Sequence, residues 1–183
     1  MRFVFDDRKT TQAAARLLEL SGGKLEYIKL IKLLYLADRR ALIETGYPIT
    51  GARLVSMPRG PVLSQVLDYV TEGAPEGSIW GEYISAPSNY AVTLTQPSTD
   101  ENLSRYDTDL LDEIHAQYGG WDRWALVQLT HELPEWVDPG GSSTPIDPQV
   151  ILRDAGRSDE DIREIASQAA EVWSFRKIGR LVR

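Results

Sequence analysis

The residues closest to a catalytic arrangement are His131-Glu132-Leu133-Pro134-Glu135. The run resembles the opening of a zinc-protease helix, which needs histidines at positions i and i+4 on one face. Here position i+4 is Glu135, and Pro134 interrupts the helix that would align the ligands. His115 is the other histidine and the chain has no cysteine, so no zinc ligand set assembles from the sequence. The bland reading is that His131 ends a helix, where a partly positive imidazole suits the dipole, and fills a pocket with Trp136. Neither a Gly-x-Ser-x-Gly elbow, a Gly-x-Gly-x-x-Gly turn nor a Gly-x-x-x-x-Gly-Lys-Ser/Thr loop occurs. The paired acids Asp6-Asp7 and Glu160-Asp161 fall at helix starts, where carboxylates complement the dipole. These residues argue against an enzyme, and they point to no metal and no cofactor.

Charged residues outside any catalytic pattern say more. On a helical wheel Tyr27, Ile28, Leu30, Ile31, Leu34, Tyr35, Ala37, Ala41 and Leu42 cover about half the circumference, and Asp38 falls near the middle of that arc. A buried carboxylate needs a partner. Arg53 or Arg59 is the expected cation in a buried ion pair. The functional alternative sets Asp38 and Arg59 on an exposed groove beside Gly60 and Pro61, in contact with a binding partner. Lys29, Lys32, Arg39 and Arg40 share the polar half of the wheel with Glu26 and Glu44. A solvated face is the default for such a stripe; phosphate or nucleic-acid contact is the alternative. The formal net charge of −7 does not suit a general nucleic-acid binder, which needs a basic footprint. It suits a partner of something basic.

One stretch, residues 24–62, carries most of these side chains. It reads as a long central helix, apolar on most of its surface, then a turn, an extended piece and a second corner. Gly46 is placed as a left-handed cap and Pro48 prevents the helix from resuming. Met57-Pro58-Arg59-Gly60-Pro61-Val62 forms the corner, with Pro61 in the first turn of a helix running to about Thr71. Before this stretch, Asp6 or Asp7 caps a first helix that Gly22-Gly23 ends. After it, 80–85 and 90–95 alternate with period two and make a β-hairpin, with 49–56 as a candidate third strand. Ser104 with Asp107, Asp122, Asp147-Pro148 and Ser158 with Asp161 mark four further helix starts. The stripe positions Ile31, Leu34, Tyr35, Leu42, Val62, Val66, Leu110, Ile114, Leu126 and Leu129 are the expected core.

The fold expected is mainly α, a helical domain with a small antiparallel β-hairpin or three-stranded sheet (α+β). At 183 residues the chain reads as a single domain, 1–183. Residues 139–145 form a linker-like loop, and 173–183 a tail both basic and apolar, with Arg176, Lys177, Arg180 and Arg183 and no acid. The absence of cysteine fits a reducing cytoplasm. Nothing reads as a signal peptide or a membrane span.

Three blocks, in order, carry a resemblance. Lys29-Leu30-x-Lys32-Leu33-Leu34-Tyr35-Leu36-Ala37 is followed by Gly46-x-Pro48-Ile49 and Gly60-Pro61-Val62, and later by Leu129-Thr130-His131 with Trp136. Together they resemble the Panacea domain, the SocA-like antitoxin family, over roughly residues 10–140. Where many members carry an aromatic before the Gly-Pro-Val, this chain has Arg59. The resemblance implies a bacterial or phage antitoxin that binds and occludes a cognate protein toxin encoded by an adjacent gene, without catalysis. The rival reading is a DNA- or phosphate-binding regulator, autoregulating its operon through Lys29, Lys32, Arg39 and Arg40. A third is an adaptor delivering the toxin to a protease. The candidate partner surface is the 53–62 corner with the exposed side of the central helix: Asp38, Arg53, Met57, Arg59, Gly60 and Pro61.

Overall fold

Seven of the other elements pack against one helix. The computed structural model describes the backbone of residues 1–181 and side chains through residue 175. Helix α1 (Asp7–Leu20) leads to a short strand β1 (Lys24–Glu26) and then to the central α2 (Tyr27–Thr45). Gly46 caps α2 at a φ of 79°, its N–H donating to the Leu42 carbonyl. The chain continues through β2 (Leu54–Met57), β3 (Gly60–Leu63), α3 (Ser64–Thr71), a single turn α4 (Trp80–Tyr83) and β4 (Ala91–Thr93). Two further helices follow, α5 (Arg105–Tyr118) and α6 (Arg123–His131), then β5 (Thr144–Pro145), α7 (Pro148–Asp154) and α8 (Asp159–Leu181). The architecture is α+β and mainly helical, with two small antiparallel sheets, β1-β4 and β3-β2-β5. Among the described residues no helix is long and apolar enough to cross a membrane.

Local capping chemistry sets the helix starts. Asp6 accepts from the Lys9 N–H, Asp122 from Trp124 and Ala125, and Asp147 from Gln149. Ser104 and Asp107 form a reciprocal capping box. Helix α2 touches α1, α3, α5, α6, α7, β1 and β3, which is why it is apolar nearly all round. Ile31, Leu34, Tyr35, Leu42, Val62, Val66, Leu110, Ile114 and Leu126 are buried, while Leu129 is only partly so. Charged contacts tie α1 to α5 at the rim, Lys9 to Asp107 at 2.8 Å and Arg16 to Asp112 at 2.8 Å.

Several expectations are corrected. Residues 24–26 are strand rather than the first turn of α2, because β4 pairs with them, Leu25 opposite Val92. The 80–85 segment begins as a helical turn, its Trp80 buried, and only Ile84 bridges Leu94. Its period-two alternation is therefore realised in one bridge, not a full hairpin. The 54–57 strand does not join β4; it pairs with β3 and, through Val55 opposite Pro145, with the 139–145 loop. Pro61 lies in β3, opposite Ser56, and the next helix starts three residues later at Ser64. Helix α8 runs on to Leu181, into the residues read as a tail. The first part of the 173–183 tail is thus helical, with Trp173 5.6 Å from the Arg2 guanidinium carbon. How side chains 176–183 pack lies outside the described residues.

Candidate protein-interaction site at the β2–β3 corner

The corner between β2 and β3 is a two-residue turn. Met57 pairs with Gly60, leaving Pro58 and Arg59 exposed at the tip. Two carbonyls flanking the tip are each gripped by a side chain from a distant part of the chain. Lys32 Nζ donates to the Pro61 carbonyl at 2.7 Å, and the Trp136 indole N–H donates to the Met57 carbonyl at 3.0 Å. The His131 ring lies against Gly60 under the turn and stacks on Trp136, centroids 4.0 Å apart. Gly60 has a φ of 88°, and a Cβ there would lie 2.7 Å from both Lys32 Nζ and Thr130 Oγ1 and 3.2 Å from the His131 ring. Only glycine adopts that conformation at that distance from its neighbours. The three sequence blocks, far apart in the chain, converge on one turn.

Two buried ionisable groups on α2 hold the two ends of the 50–61 segment. Lys32 is 1% exposed, and burial lowers its pKa to about 7. Asp38 is equally buried, and desolvation raises its carboxyl to about 7 against the lowering effect of hydrogen bonds from Thr50 and Ile49. It accepts the Thr50 N–H at 2.9 Å and the Thr50 hydroxyl. The expected cation is not there: neither Arg53 nor Arg59 reaches it. Asp38 satisfies its oxygens with backbone and hydroxyl donors from the loop that follows α2, which suits a site walled off from both arginines.

The signs of these two shifts predict an unusual pH response. Asp38, raised, adds stability that is complete below its unfolded value of 3.8 and is lost as pH rises through about 7. Lys32, lowered, adds stability that is present above 10.5 and is lost as pH falls through about 7. Both costs overlap near neutrality. Denaturant melts of Asp38→Asn against the wild type should therefore show the difference moving in the variant's favour between about pH 4 and about pH 7, then levelling off. A difference that stays constant over that range would mean that folding does not raise the Asp38 carboxyl.

The remaining candidate residues fall in different places. Arg53 is exposed, donating to the Ser64 hydroxyl at 3.2 Å. Met57 is half-buried. The basic stripe does not exist as a free face. Lys32 is inside, Lys29 donates to the Gly119 carbonyl at 3.0 Å, and Arg40 pairs with Glu44 and Glu113, each at 2.7 Å. Arg39 binds Glu135 at 2.8 Å, and the Tyr35 hydroxyl donates to the same carboxylate at 2.8 Å. The helical wheel missed Lys32 because α6 and β3 cover a side of α2 that looks polar. It missed Glu135 because nothing local announces a partner 100 residues from Tyr35. The exposed side of the central helix shrinks to its ends. Among the described residues no group of His, Cys, Asp and Glu is arranged to hold a metal ion.

Residues 30–137, more than half of the chain, match the family model described as antitoxin SocA-like, Panacea domain. No curated protein and no solved structure matches.

Proposed function

We propose that this chain, which belongs to the SocA-like antitoxin family of Panacea domains, neutralises a cognate toxin by binding it directly at the β2–β3 corner. The observation that supports this is the convergence of Lys32, Gly60, Thr130, His131 and Trp136 on an exposed turn. A core needs no such investment in backbone carbonyls of a turn; a displayed turn that must keep its shape does. The action is stoichiometric occlusion, in the cytoplasm, of a toxin encoded beside the antitoxin. A phosphate-binding reading of Lys29, Lys32, Arg39 and Arg40 would require each side chain to leave its present partner.

Co-expression with each neighbouring gene, scored for growth, tests the reading: one neighbour should be toxic alone and harmless with this protein. Against that toxin, Arg59→Ala and Met57→Ala should each weaken binding by roughly 1–2 kcal/mol while leaving the fold intact. Titration calorimetry measures the loss, and circular dichroism checks the fold. Full rescue by both variants at low expression would put the interface elsewhere, and a set of harmless neighbours would remove the neutralisation reading itself.

A further inference from the structure

The corner turn has a neighbour on the surface. Helix α6 begins beside it, and Trp124 in its first turn is 52% exposed. Two guanidinium groups attend that ring, Arg59 at 5.9 Å and Arg123 at 5.1 Å from the centroid. Arg123 is already paired, at 2.6 Å, with Glu26. Asp122 is occupied as the helix cap. Arg59 has no ion pair among the described residues, and its guanidinium lies over the face of Trp124.

The strip continues past Glu26. Tyr27 follows it in sequence and lies 6.4 Å, ring to ring, from Tyr90. Tyr90 is 68% exposed and sits at a φ of 62°, after Asn89 at 49°. The pair forms the tight turn across which Ser88 bridges Ala91. Positive φ at both central residues is the geometry of the turns that join β-strands, and Asn suits it. A bulky residue such as Tyr does not. Packing inside the fold does not explain the choice, because most of the ring is in solvent. Strained display of a large side chain at a loop tip is a mark of a functional surface.

We propose that Arg59, Trp124, Arg123 and Tyr90 form the docking strip for an acidic segment of the partner protein, with a carboxylate on Arg59 and an apolar side chain against Trp124. Tyr, Trp and Arg are the residue types that carry most binding energy at protein interfaces. A guanidinium held over an aromatic ring and lacking an anion is preorganised for a planar carboxylate. One unpaired cation in the strip, rather than a row, disfavours a polyanionic nucleic acid, which needs several phosphate contacts. The identification of the partner as the toxin rests on the neutralisation reading; the chemistry of the strip does not.

The test uses the full chain labelled with 5-fluorotryptophan and observed by fluorine NMR, the Trp124 resonance being assigned from Trp124→Phe. The probes are a synthetic peptide alternating Glu and Leu, its Gln-Leu counterpart, and a thymidine oligonucleotide. The acidic peptide should shift the Trp124 resonance saturably, and the amide peptide should not. Arg59→Ala should weaken the acidic peptide roughly tenfold. Tyr90→Gly, which relieves the backbone, should raise or preserve the melting temperature and still weaken the peptide several-fold. Equal shifts with both peptides, a response to the oligonucleotide alone, no response to any probe, or unchanged affinity in both variants would each overturn the strip. Peptide binding with no toxic neighbour would retain the strip and sink only neutralisation. Growth rescue without peptide binding would do the reverse.

Discussion

Replacing Glu135 by Ala should lower the unfolding free energy by about 3–5 kcal/mol, the largest effect expected of any single truncation here. The carboxylate has no solvent exposure. One of its oxygens accepts from both the Tyr35 hydroxyl and Arg39 Nε, each at 2.8 Å, and the other accepts a second Arg39 N–H at 3.3 Å. Tyr35 is fully buried on α2, so its hydroxyl would be left with no acceptor. Arg39 would retain only Asp154, half-exposed and 3.7 Å away. The cost arises from stranding these donors rather than from any net worth of the ion pair. Tyr35→Phe should accordingly cost less, about 1–2 kcal/mol, because it removes a donor and leaves the Arg39 pair in place. Urea melts of both variants measure the contrast. If Glu135→Ala proved as mild as Tyr35→Phe, the segment after α6 would not be anchored to α2 as described.

Gly60→Ala should be nearly as damaging, by about 2–5 kcal/mol, from two independent sources. The backbone φ of 88° disfavours any L side chain, and the new methyl would fall 2.7 Å from Lys32 Nζ and Thr130 Oγ1. Neither neighbour can yield cheaply. Thr130 is buried in α6 and bonded to the Leu126 and Val127 carbonyls, and Lys32 is buried and holds Pro61. Gly73→Ala separates the two contributions: its φ is 93° but nothing lies within 4 Å of the added carbon. That variant should lose only about 1–2 kcal/mol. Equal losses at the two positions would show that the space under the corner is not filled, and that the three blocks do not grip the turn.

The elements legible in the sequence are those decided within a few residues. Asp6, Ser104 with Asp107, Asp122 and Asp147 each cap a helix because a short side chain reaches an N–H two or three positions on. Gly46 closes α2 for an equally local reason. The core stripe Ile31, Leu34, Tyr35 and Leu42 follows from helical period alone. The stacking of His131 on Trp136 was also readable, the two being five positions apart and an aromatic pocket the simplest home for a histidine with no ligand set. Tertiary structure decided what no local pattern holds. A wheel names the face of a side chain but not what lies over it, so Lys32 was placed in solvent although α6 and β3 bury it. Asp38 was matched with arginines because charge suggests charge, whereas the nearer Thr50 backbone and hydroxyl satisfied it. Strand composition at 80–85 and 90–95 could not say that β4 would find β1, some 65 residues earlier. Trp124 carried no periodic signal at all: it became part of a surface strip only when the β2–β3 turn brought Arg59 across to α6, a non-local approach fixed by the packing of both elements on α2.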